Sequence, residues 1–286
     1  MEECMQSSNF HSHCTFCDGH SQPEAYVEAA LSRHFRAYGF SSHSPLPFET
    51  CWNMSACNME GYIREISRLK EKYSGRIEIY LGLEIDYLDE TYNASIPYFR
   101  SLPLDFRIGS LHFLPWQQPL TEENMTCIDG PFARFVETVG ERYGNDVRRI
   151  TKHFFDTSMQ MAEAGGFDIV GHADKICMNG SGCSGFDRAA DWYRKPFEDY
   201  LGLIAEKGYV MEVNTKNFLR KGQLYPSQDA LKRIREHRIP VMVNSDCHTP
   251  ALVNDGRNEV LALLREAGFR TTREPVCGAW QDIPLT

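Results

Sequence analysis

Ten histidines and 39 acidic residues are spread over the 286 residues of the chain, and those with chemical promise gather in a few short stretches. The first is Asn9-Phe10-His11-Ser12-His13, with Cys17-Asp18-Gly19-His20 behind it. His11 and His13 are two apart, and on a strand residues two apart project from one face. Two imidazoles on one face can hold a cation between them. Further along, His43, Glu84, His112, His172, Asn214, Asp246 and His248 each stand at the end of a strand-like run. Imidazoles combined with carboxylates suit zinc, iron or manganese. A catalytic zinc takes three protein ligands and a water, so this set exceeds the needs of one ion. Two ions roughly 3.5–4 Å apart clamp the attacking and leaving oxygens of an in-line displacement, and a metal lowers the pKa of its bound water to about 7. The chemistry to expect is therefore metal-assisted hydrolysis. A closed site that only braces the fold would need fewer ligands. Cys14-x-x-Cys17 reads as half of a zinc site, but no second C-x-x-C completes it.

These groups need elements to bring them together. Asn9–His13 reads as a short strand. Ser21, Pro23 and Glu24 make a helix start, with Ser at the N-cap and Glu at the capping-box position, and the helix is expected to run to about Tyr38. Gly39–His43 reads as a second strand, Met59–Tyr73 as a helix and Ile77–Glu84 as the clearest strand. A short helix is expected near Glu90–Arg100, then a strand from Asp105 to Leu111 leading into His112. The segment from Pro115 to Gly130 reads as a long irregular loop, a length often given to functional lids. Val147–Ala164 is a helix and Phe167–His172 a strand; Ala189–Lys207 is a helix and Tyr209–Asn214 a strand. A helix from Ser227 to about His237, a strand over Pro240–Ser245 and a last helix over Ala251–Ala267 complete the chain. Alternating strands and helices with short connections imply parallel strands. Seven such units close more naturally into a barrel than into an open sheet. No G-x-G-x-x-G follows the first strand, so a dinucleotide fold has no support. Barrel enzymes carry their chemistry at the C-terminal strand ends, and six of the seven strands deliver a metal-competent group there. His34, His153 and His237 fall in helices and read as surface or packing residues.

A net charge of −9 argues against a broad nucleic-acid footprint, but bound cations can reverse the local field for a small anion. No secretory signal and no run of about 18 apolar residues is seen. The ten cysteines are scattered and read as reduced thiols in a cytosol. One domain over 1–286 is expected, and oligomeric state is not legible.

The motifs together resemble the polymerase-and-histidinol-phosphatase (PHP) superfamily, and within it the histidinol-phosphatase branch. They are His11-x-His13 with Phe16-Cys17-Asp18-Gly19, Phe40-Ser41-Ser42-His43-Ser44-Pro45-Leu46-Pro47, Gly82-Leu83-Glu84-Ile85-Asp86-Tyr87, Gly109-Ser110-Leu111-His112, Asp168-Ile169-Val170-Gly171-His172-Ala173-Asp174 and Asn244-Ser245-Asp246-Cys247-His248. The resemblance implies an α/β fold, a distorted TIM-like (β/α)7 barrel with a trinuclear metal site at the C-terminal rim. By that analogy His11, His13, Glu84 and Asp246 hold one ion and are the catalytic set. Glu84 bridges to a second ion held by His112 and His172. His43, His248 and one group from the first loop hold a third. Asp18 and His20 both qualify for that group, and the anionic Asp18 is favoured. Ser42 stands where many relatives have an acidic residue, so an orienting partner for His43 is missing or comes from elsewhere. The implied reaction is hydrolysis of L-histidinol phosphate in histidine biosynthesis, with Lys175 and Lys216 as phosphate contacts. Rival readings are a phosphoesterase of the same superfamily acting on nucleotides, a metal-dependent amidohydrolase and a non-catalytic metal-binding protein.

Overall fold

The computed structural model describes residues 7–285. Seven strands form one parallel ladder in chain order: β1 Ser7–Asn9, β2 Phe35–Phe40, β3 Glu78–Asp86, β4 Phe106–Ser110, β5 Ile169–Val170, β6 Val210–Asn217 and β7 Val241–Asn244. The ladder returns on itself. Ser12 bridges Cys247 in parallel, and the His13 N–H donates to the Cys247 carbonyl at 3.0 Å. Below that bridge side chains replace the backbone ladder: the Phe10 N–H donates to Asn244 Oδ1 at 2.9 Å, and the Ser245 N–H to Asn9 Oδ1 at 2.7 Å. The result is a nearly closed (β/α)7 barrel, as expected. Its main helices are α1 Pro23–Ser32, α2 Met59–Lys72, α3 Phe132–Tyr143, α4 Val147–Ala164, α5 Asp191–Lys207, α6 Leu231–Glu236 and α7 Arg257–Glu266.

Strand alternation sorts the side chains into two cores. Leu81, Leu83 and Ile85 of β3 face outward and join Tyr62, Ile66 and Leu69 of α2 in the outer core. Each such buried side chain contributes roughly 1.5–3 kcal/mol. Phe10, Ala37, Tyr80, Phe106, Ile108, Ile169, Val210 and Met242 form a separate inner core. Along the inward face of each long strand the chemistry changes from apolar to polar: Tyr80, Gly82, Glu84, Asp86 on β3; Phe106, Ile108, Ser110 on β4, then His112; Val210, Glu212, Asn214 on β6. Gly82 is needed there because a Cβ would lie 2.4 Å from the Phe106 ring. The apolar half fills the barrel, and the polar half makes a cup at one end.

Several element boundaries differ from expectation. Gln22, not Ser21, is the N-cap of α1; the Ser21 carbonyl instead accepts from the Thr15 N–H at 3.1 Å, tying down the first loop. α1 stops at Ser32, and His34 turns the chain at φ 58 in place of a longer helix. Phe35 to Phe40 then alternate as β2, which places His43 past the strand in a bridge to Glu84. The helix expected near Glu90–Arg100 shrinks to Pro97–Ser101. Asp89 Oδ1 accepts from the Thr91 and Tyr92 N–H groups, a turn that competes with helix, and Pro97 disfavours helix at Ile96. The segment 115–130 is not wholly irregular, since Phe113–Pro115 pairs antiparallel with Met125–Cys127. The last helix is split at Gly256, with φ 69. α3 and a C-terminal hairpin, Thr271–Val276 with Ala279–Pro284, were not anticipated. No helix among the described residues is long and apolar enough to cross a membrane.

Candidate metal centre

Glu84 leaves the inner face of β3 and meets imidazoles on both oxygens. Oε1 lies 2.9 Å from His172 Nε2 and 3.5 Å from His112 Nε2, and accepts from Ser110 Oγ at 2.7 Å. Oε2 lies 2.9 Å from His43 Nδ1, 3.2 Å from His11 Nε2 and 3.6 Å from His13 Nε2. Asp246 Oδ1 is 3.1 Å from His13 Nε2 and 3.8 Å from His11 Nε2. Asp18 Oδ2 reaches His248 Nε2 at 3.2 Å, and Oδ1 is 3.9 Å from both His13 and His43.

Three groups bring their ligand atoms within 4.8 Å of one another: His13, Asp18, His43 and His248; His11, His13 and Asp246; His43, Glu84 and His112. His172 joins through Glu84 alone. His20 is exposed and belongs to none of these groups among the described residues; its N–H holds the His248 carbonyl at 2.8 Å instead. Gly19 allows the loop to fold back so closely that a Cβ would sit 2.3 Å from Cys14 N and His13 O. That close approach carries Asp18 to the rim.

The donor set fits metal ions. His11 Nε2, His13 Nε2, His43 Nδ1, Asp18 Oδ1 and Glu84 Oε2 are buried and lack hydrogen-bond partners, an arrangement that costs free energy unless a cation satisfies it. Desolvation would raise the carboxyls of Glu84 and Asp246, but histidines, and for Asp246 also Lys216, hold both well below the usual range. Burial, then His248 and His43, pushes the His13 imidazole well down, leaving it neutral and able to ligate. His172 is lowered by burial and by Lys175. At His11 the burial penalty is outweighed by Glu212, Glu84 and Asp246, and its pKa rises. At His112 Asp86, Glu84 and Asp129 likewise overcome burial and raise it to about 9. These protons are placed where cations would compete with them.

The clustered imidazoles are oriented from behind. Glu212 Oε1 holds His11 Nδ1 at 2.6 Å and also accepts from Asn244 Nδ2, while Oε2 accepts from the His172 N–H at 3.0 Å. Asp86 holds His112 Nδ1 at 3.0 Å. Such carboxylate–histidine pairs fix the ring and raise its basicity. Cys17 Sγ is 3.5 Å from His13 Nδ1, and no cysteine enters a metal-competent group among the described residues. Behind His43, whose Nε2 is the nitrogen nearer Asp18, Glu84 Oε2 faces Nδ1 at 2.9 Å; Trp52 packs against its ring at 4.6 Å, and the Ser42 hydroxyl meets Cys14 Sγ at 3.3 Å. Asn214, within β6 rather than at its end, donates to Glu212 and to Asp246 Oδ2 at 3.1 Å. His172 and Asp246 have φ of 24 and 47, a strain of about 1–3 kcal/mol each that the surrounding contacts must hold.

Lys175 and Lys216 both reach the cup. Lys216 Nζ lies 3.0 Å from Asp246 Oδ1 and 3.4 Å from His248 Nε2. Lys175 is buried, 3.6 Å from Asp129 Oδ2 and over the Tyr225 ring. Arg107 stays away, donating to the Phe99 and Leu102 carbonyls. His153 pairs with Tyr143 and His237 with Glu198, both off the site. Glu212, Asp129 and Trp52 are absent from the sequence motifs, and Asp86 stands in one of them without a role. Glu212 and Asp86 could have been found by strand alternation, two residues from Asn214 and from Glu84.

The PHP domain family model matches residues 9–216. A protein of Deinococcus radiodurans named "Probable histidinol-phosphatase" is 26% identical over 271 residues, covering 91% of this chain and 94% of its own. The histidinol-phosphatase of Bacillus subtilis (strain 168) is 28% identical over 264 residues, covering 85% and 94%. A solved histidinol phosphate phosphatase of Lactococcus lactis subsp. lactis Il1403, in complex with zinc, L-histidinol and phosphate, superposes with a TM-score of 0.75 at 19% identity. The match covers 96% of this chain and 98% of that one.

Proposed function

The chain belongs to the PHP domain family, and from that premise we propose that it is a metal-dependent phosphomonoesterase hydrolysing L-histidinol phosphate to L-histidinol and phosphate, a step of histidine biosynthesis. The observation that carries the reading is Glu84, with imidazoles at both carboxylate oxygens and two further carboxylates within the same buried cup. The relatives above support the choice of substrate.

In this reading the centre would take two or three divalent ions of zinc, iron or manganese: His11, His13, Asp246 and Glu84 would hold one, Glu84, His112 and His172 a second, and Asp18, His43 and His248 a third. Such ions supply water activation at neutral pH and charge neutralisation at the phosphoryl oxygens, so no protein nucleophile is required. The protein's own work is placement. Glu212 and Asp86 fix the tautomers of His11 and His112, Ser110 and the imidazoles fix Glu84, and Lys175 and Lys216 offer cations to the phosphate. The net charge of −9 favours a small ester over nucleic acid. Unpaired thiols throughout the described residues fit a cytoplasmic setting.

The test is phosphate release from L-histidinol phosphate before and after chelation, with zinc, manganese or iron restored. Loss on chelation and recovery with metal are expected, together with two or three ions per chain by elemental analysis. Full activity with one ion or none contradicts the multinuclear mechanism.

A further inference from the structure

Most groups facing the centre suit an anion or a metal: imidazoles, ligand carboxylates, and the ammonium groups of Lys175 and Lys216. The sector beside His112 differs. Asp129 lies just beyond the Phe113–Cys127 hairpin. Its Oδ2 is 3.9 Å from His112 Nε2 and 3.6 Å from Lys175 Nζ, both beyond hydrogen-bonding distance. Oδ1 meets only a weak donor in Cys127 Sγ, at 3.6 Å. The side chain is about a quarter exposed, 24%, so it is open to what enters the cup. A carboxylate there, in charge contact with Lys175 and His112 but hydrogen-bonded to neither, repels a phosphate and attracts a further cation.

Trp52 flanks the same sector from another loop. Its ring lies 5.3 Å from that of His112 and stacks on Phe113 at 5.7 Å and 21°. The loop is pinned. Thr50 N–H and Oγ1 donate to Asn53 Oδ1, and the Trp52 and Asn53 N–H groups donate to Thr50 Oγ1. A carboxylate and an indole thus converge on one side of the ligand cluster. L-Histidinol carries an ammonium on the carbon next to the ester-bearing carbon, and a flat imidazole beyond it. A group bound through its phosphate at the centre would bring that ammonium within reach of a carboxylate beside a ligand.

We propose that Asp129 is a specificity-determining residue that pairs with the ammonium of the substrate, and that the leaving group therefore departs on the His112 side, against Trp52. The proposal rests on the reading of the substrate given above.

Asp129→Asn keeps shape and removes charge. It is compared with the wild type on L-histidinol phosphate and on 3-(imidazol-4-yl)propyl phosphate, the same ester with hydrogen in place of the amine, with metal content measured in both proteins. Loss of a charge-assisted hydrogen bond predicts that kcat/KM falls about 10- to 100-fold on the amine-bearing ester. It should change little on the amine-free one, at unchanged metal content. Equal losses on both esters overturn the proposal in favour of action on the phosphate through Lys175. Loss of an ion overturns it in favour of a ligand role. A wild type active on L-histidinol phosphate with an unaffected variant overturns this proposal alone. A wild type inactive on both esters, though loaded with metal, overturns the substrate reading and this proposal with it.

Discussion

Glu84 is the residue whose two oxygens separate the imidazoles into two sets, His172 and His112 on one side, His43, His11 and His13 on the other. Glu84→Gln keeps the volume and removes the charge that, in the proposed reading, would hold those sets around shared ions. Turnover should fall by at least about 100-fold, since small displacements of catalytic groups carry losses of that order, while far-ultraviolet circular dichroism stays native. A near-normal kcat at unchanged metal content would refute the bridging role. The first loop offers a sharper comparison. Asp18→Ala should lose an ion and most of the rate, whereas His20→Ala, whose side chain lies outside the cluster, should keep the full complement. Elemental analysis of the two variants decides it, and the reverse pattern would move the ligand to His20. Behind the ligands, Glu212→Gln should weaken metal affinity about 10- to 100-fold, measurable by competition with a chelator of known affinity; an unchanged affinity would make Glu212 a mere packing residue. The histidines and carboxylates that cluster here were legible in the sequence because a rim position is a strand end, and His or Glu at a strand end stands out. Glu212 and Asp86 were legible in principle from alternation, but a carboxylate between apolar residues gives no sign of its partner. Asp129 and Trp52 sit on loops without periodicity, and only the path of the chain brings them to His112.

The barrel strands were legible as elements because their apolar runs are bounded by turns, although β2 lies several residues earlier than its rim histidine suggested. The C-terminal hairpin was not, since its pairing depends on contacts far away in sequence. It covers the end of the barrel opposite the cup. Glu274 of this hairpin is buried and accepts from Ser8 Oγ at 2.6 Å, Arg36 Nη2 at 2.9 Å and Arg257 Nη2 at 3.3 Å. Burial by itself would raise the Glu274 carboxyl; Arg257, Ser8, Thr272 and Arg36 outweigh it and hold it below its ordinary value of 4.5. A carboxyl depressed on folding contributes stability that is complete above its unfolded value and is lost as pH falls through its folded value. Acid should therefore loosen this end below about pH 4.5, the unfolded value. Glu274→Gln strands Arg257 without its counter-charge, and a loss of about 3–5 kcal/mol is expected from a buried pair broken on one side. Urea unfolding of variant and parent across that pH range tests both claims. A variant as stable as its parent at neutral pH, or one with an unaltered acid slope, contradicts them.

At the scale of the whole molecule, the barrel stacks an apolar plug beneath a cup of imidazoles and carboxylates, and every long strand makes that change along its inward face. Buried carboxylates in the cup favour cations, and cations held there would make the local field favourable for a phosphate despite the net charge of −9. In the function proposed above, this cup hydrolyses one small ester by means of bound metal. The most direct measurement is kcat/KM of the metal-loaded protein on L-histidinol phosphate, alongside nucleoside monophosphates, simple alkyl phosphates and an amide substrate. A value in the usual enzymatic range, on the order of 10⁴ M⁻¹s⁻¹ or above, is expected for L-histidinol phosphate, with the other substrates far below it. Comparable or faster turnover of a nucleotide or an amide, or no phosphate release from L-histidinol phosphate by protein that holds its metal ions, would contradict it.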